Sequence, residues 1–188
     1  KNQEKPRRCW EDWKKAVKIA SQLEKISGVS FRKEISHYYC EMAVSMIISK
    51  KYSDGSKFLL QAIEEHKNCV RANILLGDVR ESQGMIDEAI SYWRKIEYQK
   101  PEYLGLVASK IIKAYQAEGK INDGLSILSR YYDLYNLRTL LNVLYEAVIS
   151  NEGPGSAEKI ARNELIQRPS LLALDQLFQA LAMNKNTQ

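Results

Sequence analysis

Gly84-Met85-Ile86-Asp87-Glu88-Ala89, followed by Trp93, Ile96 and Pro101, is the stretch on which the fold turns. Glycine marks the end of one helix. Asp87 and Glu88 suit the first turn of the next, where unpaired backbone N–H groups concentrate positive charge. Ile90, Trp93 and Ile96 recur at a helical spacing and line one face. Pro101 ends the pattern, because proline has no N–H to donate and clashes with the preceding turn. The arrangement returns as Gly119-Lys120-Ile121-Asn122-Asp123-Gly124, with Leu128 and Tyr131. It occurs earlier as Asp54-Gly55 with Leu59 and Ala62, and later as Ser156-Ala157 with Ala161 and Pro169. The small residue near the start of each second helix falls at 55, 89, 124 and 157, in steps of 34, 35 and 33.

A helix–turn–helix unit with a period near 34 is the tetratricopeptide repeat. The small residue (Gly55, Ala89, Gly124, Ala157) belongs where the two helices of a unit cross, and the apolar residue four further on (Leu59, Trp93, Leu128) fills the facing groove. Leu76-Gly77 provides a second close approach. The reading is an all-α, right-handed superhelical tetratricopeptide solenoid forming one domain over residues 1–188. It comprises a half-unit at 10–27 (Trp13, Ala16, Val17, Ala20, Leu23), full units at 36–69, 70–103, 105–138 and 138–171, and a closing helix at 171–184. Unit 105–138 lacks the terminal proline, and unit 138–171 carries Tyr145 where a first helix usually has glycine, before a Gly153-Pro154-Gly155 hinge. The stripe Leu171, Leu172, Leu174, Leu177, Phe178 and Leu181 is expected to pack on the preceding unit, the alternative being a dock for a further domain.

Composition agrees with a globular protein: 188 residues, 45% hydrophobic and 27% charged, with few glycines and prolines. No apolar run is long enough to span a bilayer. The abrupt start at Lys1-Asn2-Gln3, without an initiator methionine, suggests a piece of a longer chain. The net charge of +5 sits in the first 70 residues, which hold 14 Lys and Arg against 9 Asp and Glu. Lys5, Arg7, Arg8, Lys14, Lys15 and Lys18 form this basic end, but Glu11, Asp12 and Glu24 interrupt it, which argues against nucleic acid as a partner.

No catalytic constellation stands out. The three cysteines (Cys9, Cys40, Cys69) include no Cys-x-x-Cys pair and read as buried or half-buried thiols in a reducing compartment. His37 and His66 lack the helical spacing of a metal pair. His37 and Cys40 lie one turn apart, so contact between them is open, but nothing else there demands nucleophilic catalysis. Glycine-rich phosphate loops and nucleophile elbows are absent from the sequence. No catalytic residue, metal ligand or cofactor is therefore assigned, and a binding surface remains. First helices line the concave side of such a solenoid, and by register the groove-facing candidates are Arg71, Ile74, Asp78, Glu81, Lys113, Gln116, Asn142 and Glu146. Their mixed charge suits a protein partner. Cys40, Val44, Ile74 and Asp78 replace the lysine/asparagine clamp of repeat domains that grip chaperone tails, which argues against that role.

Four stretches carry a closer resemblance: Asp12-Trp13-Lys14-Lys15-Ala16-Val17-Lys18-Ile19-Ala20, Ile35-Ser36-His37-Tyr38-Tyr39-Cys40-Glu41-Met42-Ala43, Lys67-Asn68-Cys69-Val70-Arg71-Ala72 before Leu76-Gly77, and Gln167-Arg168-Pro169-Ser170. Over residues 10–184 the chain resembles the lipopolysaccharide assembly protein B family of Gram-negative bacteria. The resemblance implies an adaptor at the cytoplasmic face of the inner membrane. It implies partners in the membrane metalloprotease FtsH, the deacetylase of lipid A synthesis and other lipopolysaccharide assembly proteins. It also implies an amino-terminal membrane helix and a carboxyl-terminal rubredoxin-like zinc module, so zinc is expected only outside this segment. The basic end would then face an anionic leaflet. Two alternatives stay open: the repeat region of a larger enzyme such as an O-linked N-acetylglucosamine transferase, and a generic repeat adaptor. An uncapped apolar end face also permits a homo-oligomer.

Overall fold

The computed structural model describes the backbone of residues 4–186 and the side chains of residues 10–185. Every regular element among them is helical. They divide into two compact units, one ending at Tyr103 and the other beginning at Leu104.

The first unit contains α1 (Glu4–Ser27), α2 (Arg32–Ile48), α3 (Tyr52–Glu65), α4 (Val70–Ser82), α5 (Ile86–Arg94) and the single turn α6 (Ile96–Gln99). Each of α1 to α5 packs on the next. The second unit contains α7 (Ala108–Ala117), α8 (Ile121–Tyr135), α9 (Arg138–Glu152), α10 (Pro154–Gln167) and α11 (Leu171–Asn186), again packed in succession. The pairs α2/α3, α4/α5, α7/α8 and α9/α10 are the helical hairpins the 34-residue period anticipates. The fold is all-α and of the tetratricopeptide type.

The turns show why the sequence breaks where it does. Gly84 and Gly119 adopt φ of +76° and +69° after the first helices of their hairpins, a left-handed conformation that costs glycine nothing. Each lets the chain reverse so that the following N–H closes a six-residue loop: Met85 N–H to Arg80 O at 2.9 Å, and Lys120 N–H to Tyr115 O at 2.8 Å. After α2 the same turn is made by Lys50, at φ 59°, with Lys51 N–H donating to Met46 O at 2.9 Å. Lys100 is extended (φ −157°, ψ 90°) ahead of Pro101, as the proline ring requires of its predecessor. A 3-10 segment over Pro101–Leu106 follows it.

Packing bears out the small-residue positions. A Cβ on Gly124 would lie 2.9 Å from the Tyr115 Cβ, and one on Gly55 would meet Ile47 and the Ala43 carbonyl at 3.0 and 3.3 Å. Cys40, Ala43, Leu59, Ala62, Ala72 and Leu76 form a core in the first unit with no exposure to solvent. Trp10, half-buried, meets Phe58 edge-on at 6.5 Å and carries the Lys14 ammonium 3.7 Å above its ring. The basic cluster Lys5, Arg7 and Arg8 lies on α1, but its side chains, like that of Cys9, fall outside the described residues.

Helix α11 corrects one expectation. It packs on α10, and its inward residues are Ala173, Gln176 and Ala180, all buried, with Leu172 and Leu177 half-buried. Leu171 and Phe178, expected in the packed stripe, are 81% and 63% exposed, and Leu174 faces out with them. Small residues let two helix backbones approach closely, which suits the alanine edge to the inside while Leu171, Leu174 and Phe178 turn outward.

Candidate functional site

The candidate groove residues fall into two sets, one per unit. On α4, Arg71, Ile74, Asp78 and Glu81 follow one another at intervals of three and four, along one face. Arg71 and Glu81 are exposed, and Ile74 and Asp78 half-buried. Arg71 reaches back to α2: its Nη1 donates to Glu41 Oε1 at 2.6 Å and lies 3.4 Å from His37 Nδ1. His37 Nε2 is 3.6 Å from the same carboxylate. His37 is thus bound into an ion-pair cluster on the first-helix face, and its candidate partner Cys40 points elsewhere. Asp78 has a structural task that spacing did not reveal. With the Ile74 carbonyl it accepts from the Trp93 indole Nε1, at 3.2 and 3.3 Å.

In the second unit Lys113, Gln116 and Glu146 are exposed and line one recess of about 160 Å³ between α7 and α9. Ile112, Val143 and Ala147 floor it, and Ser109, Ser150 and Asn151 complete the rim. A lysine and a glutamate across an apolar floor make a dipolar slot, able to take a peptide with a matching pair of charges. Asn142 lies outside this recess and is engaged by α11, accepting from Gln176 Nε2 at 3.0 Å.

Two further features escaped the sequence reading. A larger cleft of about 690 Å³ lies among α8, α9 and α10, lined by Arg130, Tyr132, Asp133, Leu134, Glu164 and Arg168 among others. On its wall the buried Tyr132 hydroxyl donates to Glu164, and the Arg168 guanidinium sits 5.0 Å over the Tyr132 ring. Burial first, and the Glu164 contact second, raise the Tyr132 phenol above its usual pKa. The other feature is the approach of Cys40 Sγ to Cys69 Sγ, at 3.7 Å. Cys40 is wholly buried on α2 and Cys69, half-buried, is the N-cap of α4. The hydrogen bond from Cys40 holds the Cys69 thiol down to about 5, helped by Ser36, the Ala72 backbone and His66, and the same bond raises Cys40. Residue 40 lies within one first helix and residue 69 at the cap of the next, non-equivalent places, so no period predicts their meeting. Two thiols fall short of a four-ligand zinc site, and no cluster of three or more metal-binding side chains occurs among the described residues.

Comparison with known proteins places this geometry. No family model matches the chain. Curated proteins sharing a single name align with 89% of it. The chain is similar to lipopolysaccharide assembly protein B. The Haemophilus influenzae protein of that name (strain ATCC 51907 / DSM 11121 / KW20 / Rd) is 25% identical over 168 residues, and that of Escherichia coli (strain K12) 23% identical over 167. The match takes in 42% and 43% of those proteins, so the chain spans less than half the length of the curated relatives it matches. Among solved structures, a thermophilic tetratricopeptide protein of Thermus thermophilus superposes with a TM-score of 0.49 at 13% identity, covering 95% of this chain and 98% of its own. A kinesin-light-chain-like repeat protein of Podospora anserina gives 0.46 at 15%, covering 98% and 94%. Among the described residues, no helix is long and apolar enough to cross a membrane.

Proposed function

We propose that this chain is the repeat region of a lipopolysaccharide assembly adaptor that binds protein partners on its first-helix faces. The similarity to the assembly proteins along 89% of the chain carries the reading. The α4 face with Arg71, Ile74, Asp78 and Glu81 and the recess bearing Lys113, Gln116 and Glu146 supply surfaces of alternating charge and apolar character, suited to protein ligands. In this reading the adaptor works at the cytoplasmic face of the inner membrane. It brings the lipid A deacetylase to the metalloprotease FtsH, so that proteolysis limits lipopolysaccharide synthesis.

The test is capture from Gram-negative membranes with the full native protein as bait, followed by the deacetylase half-life in cells. Retention of both protease and deacetylase is expected. Lys113→Glu combined with Glu146→Lys should weaken one of them at least ten-fold and lengthen the deacetylase half-life. Capture of neither enzyme, with an unchanged half-life on deletion of the native gene, would overturn the proposal.

A further inference from the structure

We infer that Cys40 and Cys69 form an oxidisable dithiol, which a hydroperoxide converts to a disulfide tying the first helices of two consecutive repeats beside the Glu41–Arg71 pair. The sulfurs are 3.7 Å apart, and a disulfide closes that gap by about 1.6 Å, within reach of small adjustments at both side chains. One sulfur sits in the middle of α2 and the other at the N-cap of α4, so the bond would add a covalent link between helices now joined by packing and the Arg71–Glu41 ion pair.

The two thiols are unlike in the way such a reaction needs. Cys69 is half-buried, at the positive end of a 13-residue helix that favours its thiolate, with the Cys40 sulfur at hydrogen-bond distance. An accessible, stabilised thiolate is the form that peroxides oxidise. Cys40 has no exposure and waits as the resolving thiol. Cys69 thiolate attacks one peroxide oxygen, the O–O bond breaks, and the departing hydroxide or alkoxide takes up a proton, leaving a sulfenic acid. That step removes the thiolate charge that keeps Cys40 protonated. Cys40 then loses its proton and attacks the Cys69 sulfur; the S–O bond breaks and hydroxide leaves with that proton as water. Two thiols are oxidised by two electrons and one peroxide is reduced, giving with hydrogen peroxide one disulfide and two waters.

The placement links this chemistry to the groove. Cys40 directly precedes Glu41, and Cys69 stands two residues before Arg71, the pair joined at 2.6 Å. Drawing the sulfurs together shifts both ends of that ion pair and fixes the spacing of α2 and α4. The inference stands on the thiol geometry and is independent of the assembly-adaptor reading.

The experiment uses the chain with Cys9→Ser, so that only this pair reports. Reduced protein at neutral pH is treated with stoichiometric hydrogen peroxide, blocked with N-ethylmaleimide in denaturant, and mapped by mass spectrometry. The expected result is loss of both maleimide sites, a mass about 2 Da lower and a linked Cys40–Cys69 peptide, all reversed by dithiothreitol. Formation should be at least about ten-fold faster than in the urea-unfolded chain. In Cys40→Ala, dimedone should trap a sulfenic acid at Cys69. Equal rates folded and unfolded, over-oxidation or intermolecular pairing of Cys69 with Cys40 still reduced, or no reaction of either thiol would each overturn the inference.

Discussion

Gly77 and Trp93 share one space: a Cβ on the glycine would overlap the indole ring, whose Nε1 is anchored to the Ile74 carbonyl and Asp78. The relationship recurs with the sizes redistributed. By register, the first-helix position runs Ala43, Gly77, Ile111, Tyr145, and the facing second-helix position runs Leu59, Trp93, Leu128, Ala161. All eight are buried, so each hairpin fills the same crossing with a different division of volume. Glycine faces tryptophan in one hairpin, and tyrosine faces alanine in another. By register the unusual Tyr145 stands opposite the small Ala161, both buried.

Gly77→Ala should therefore destabilise the first unit by about 1–3 kcal/mol, the usual cost of forcing a methyl into a packed site. The alanine has the better helix propensity, so a stabilised variant in urea titration would show that the crossing is loose. Adding Trp93→Phe should recover part of the loss, because the two changes act on one volume and are not additive.

This crossing was legible in the sequence, because small and large residues must alternate wherever two helices touch at a fixed period. The turn glycines were legible for the same reason of strict backbone demand. Other features depended on surfaces that periodicity does not encode. The α11 stripe Leu171, Leu174 and Phe178 is as regular as any core face, and only the close seat of Ala173 and Ala180 shows which edge is inside. Asp78 reads as a groove residue until the Trp93 indole claims its carboxylate. Cys40 and Cys69 meet across two helices from positions with no common register.

The Tyr145 hydroxyl donates to the Gln176 carbonyl, tying α9 to α11 inside the second unit. Gln176 also holds Asn142. These polar ties add to the apolar seat that Leu172, Leu177, Ala173 and Ala180 give α11. Tyr145→Phe should cost about 1–3 kcal/mol, the penalty for a buried hydrogen bond left half-made. Amide exchange should rise first in residues 171–186. Uniform exchange along the second unit instead would place the tie outside α11 stability.

The Arg71–Glu41 pair is short but solvent-facing, with 43% and 25% of the side chains exposed. A double-mutant cycle with Arg71→Ala and Glu41→Ala should return a coupling below about 1 kcal/mol, as for other exposed pairs. Coupling of several kcal/mol would mean that the cluster builds the fold. A small coupling leaves both groups free to exchange their ion pair for a ligand's charges.

The basic end offers a separate test of membrane proximity. Each cation near an anionic leaflet contributes about 1 kcal/mol, so reversing Lys5, Arg7 and Arg8 to glutamate should lower partitioning onto phosphatidylserine-containing vesicles by at least about 100-fold. Raising the salt should erase the wild-type binding. Unchanged binding of the reversed chain would remove this end from any membrane role.

Cys69 gives the chain a pH dependence whose sign follows from its neighbours. Its folded pKa, about 5, lies below the value of about 8.5 for a thiol in an unfolded chain. Between these limits the unfolded state holds a proton that the folded state has released, so stability rises with pH across that window. The contribution is complete above the unfolded value and lost as pH falls through the folded one. Cys40, shifted upward by the same hydrogen bond, opposes it only above the range where an unfolded thiol ionises. Cys69→Ser should flatten the rise in urea midpoint between pH 5 and 8 in the chain with Cys9→Ser. In the same background, the rate of Cys69 alkylation by iodoacetamide should be level at neutral pH and fall by half near pH 5. A midpoint near 8.5 instead would mean that the Cys40 proton is not shared, and that Cys69 is an ordinary thiol at the start of α4.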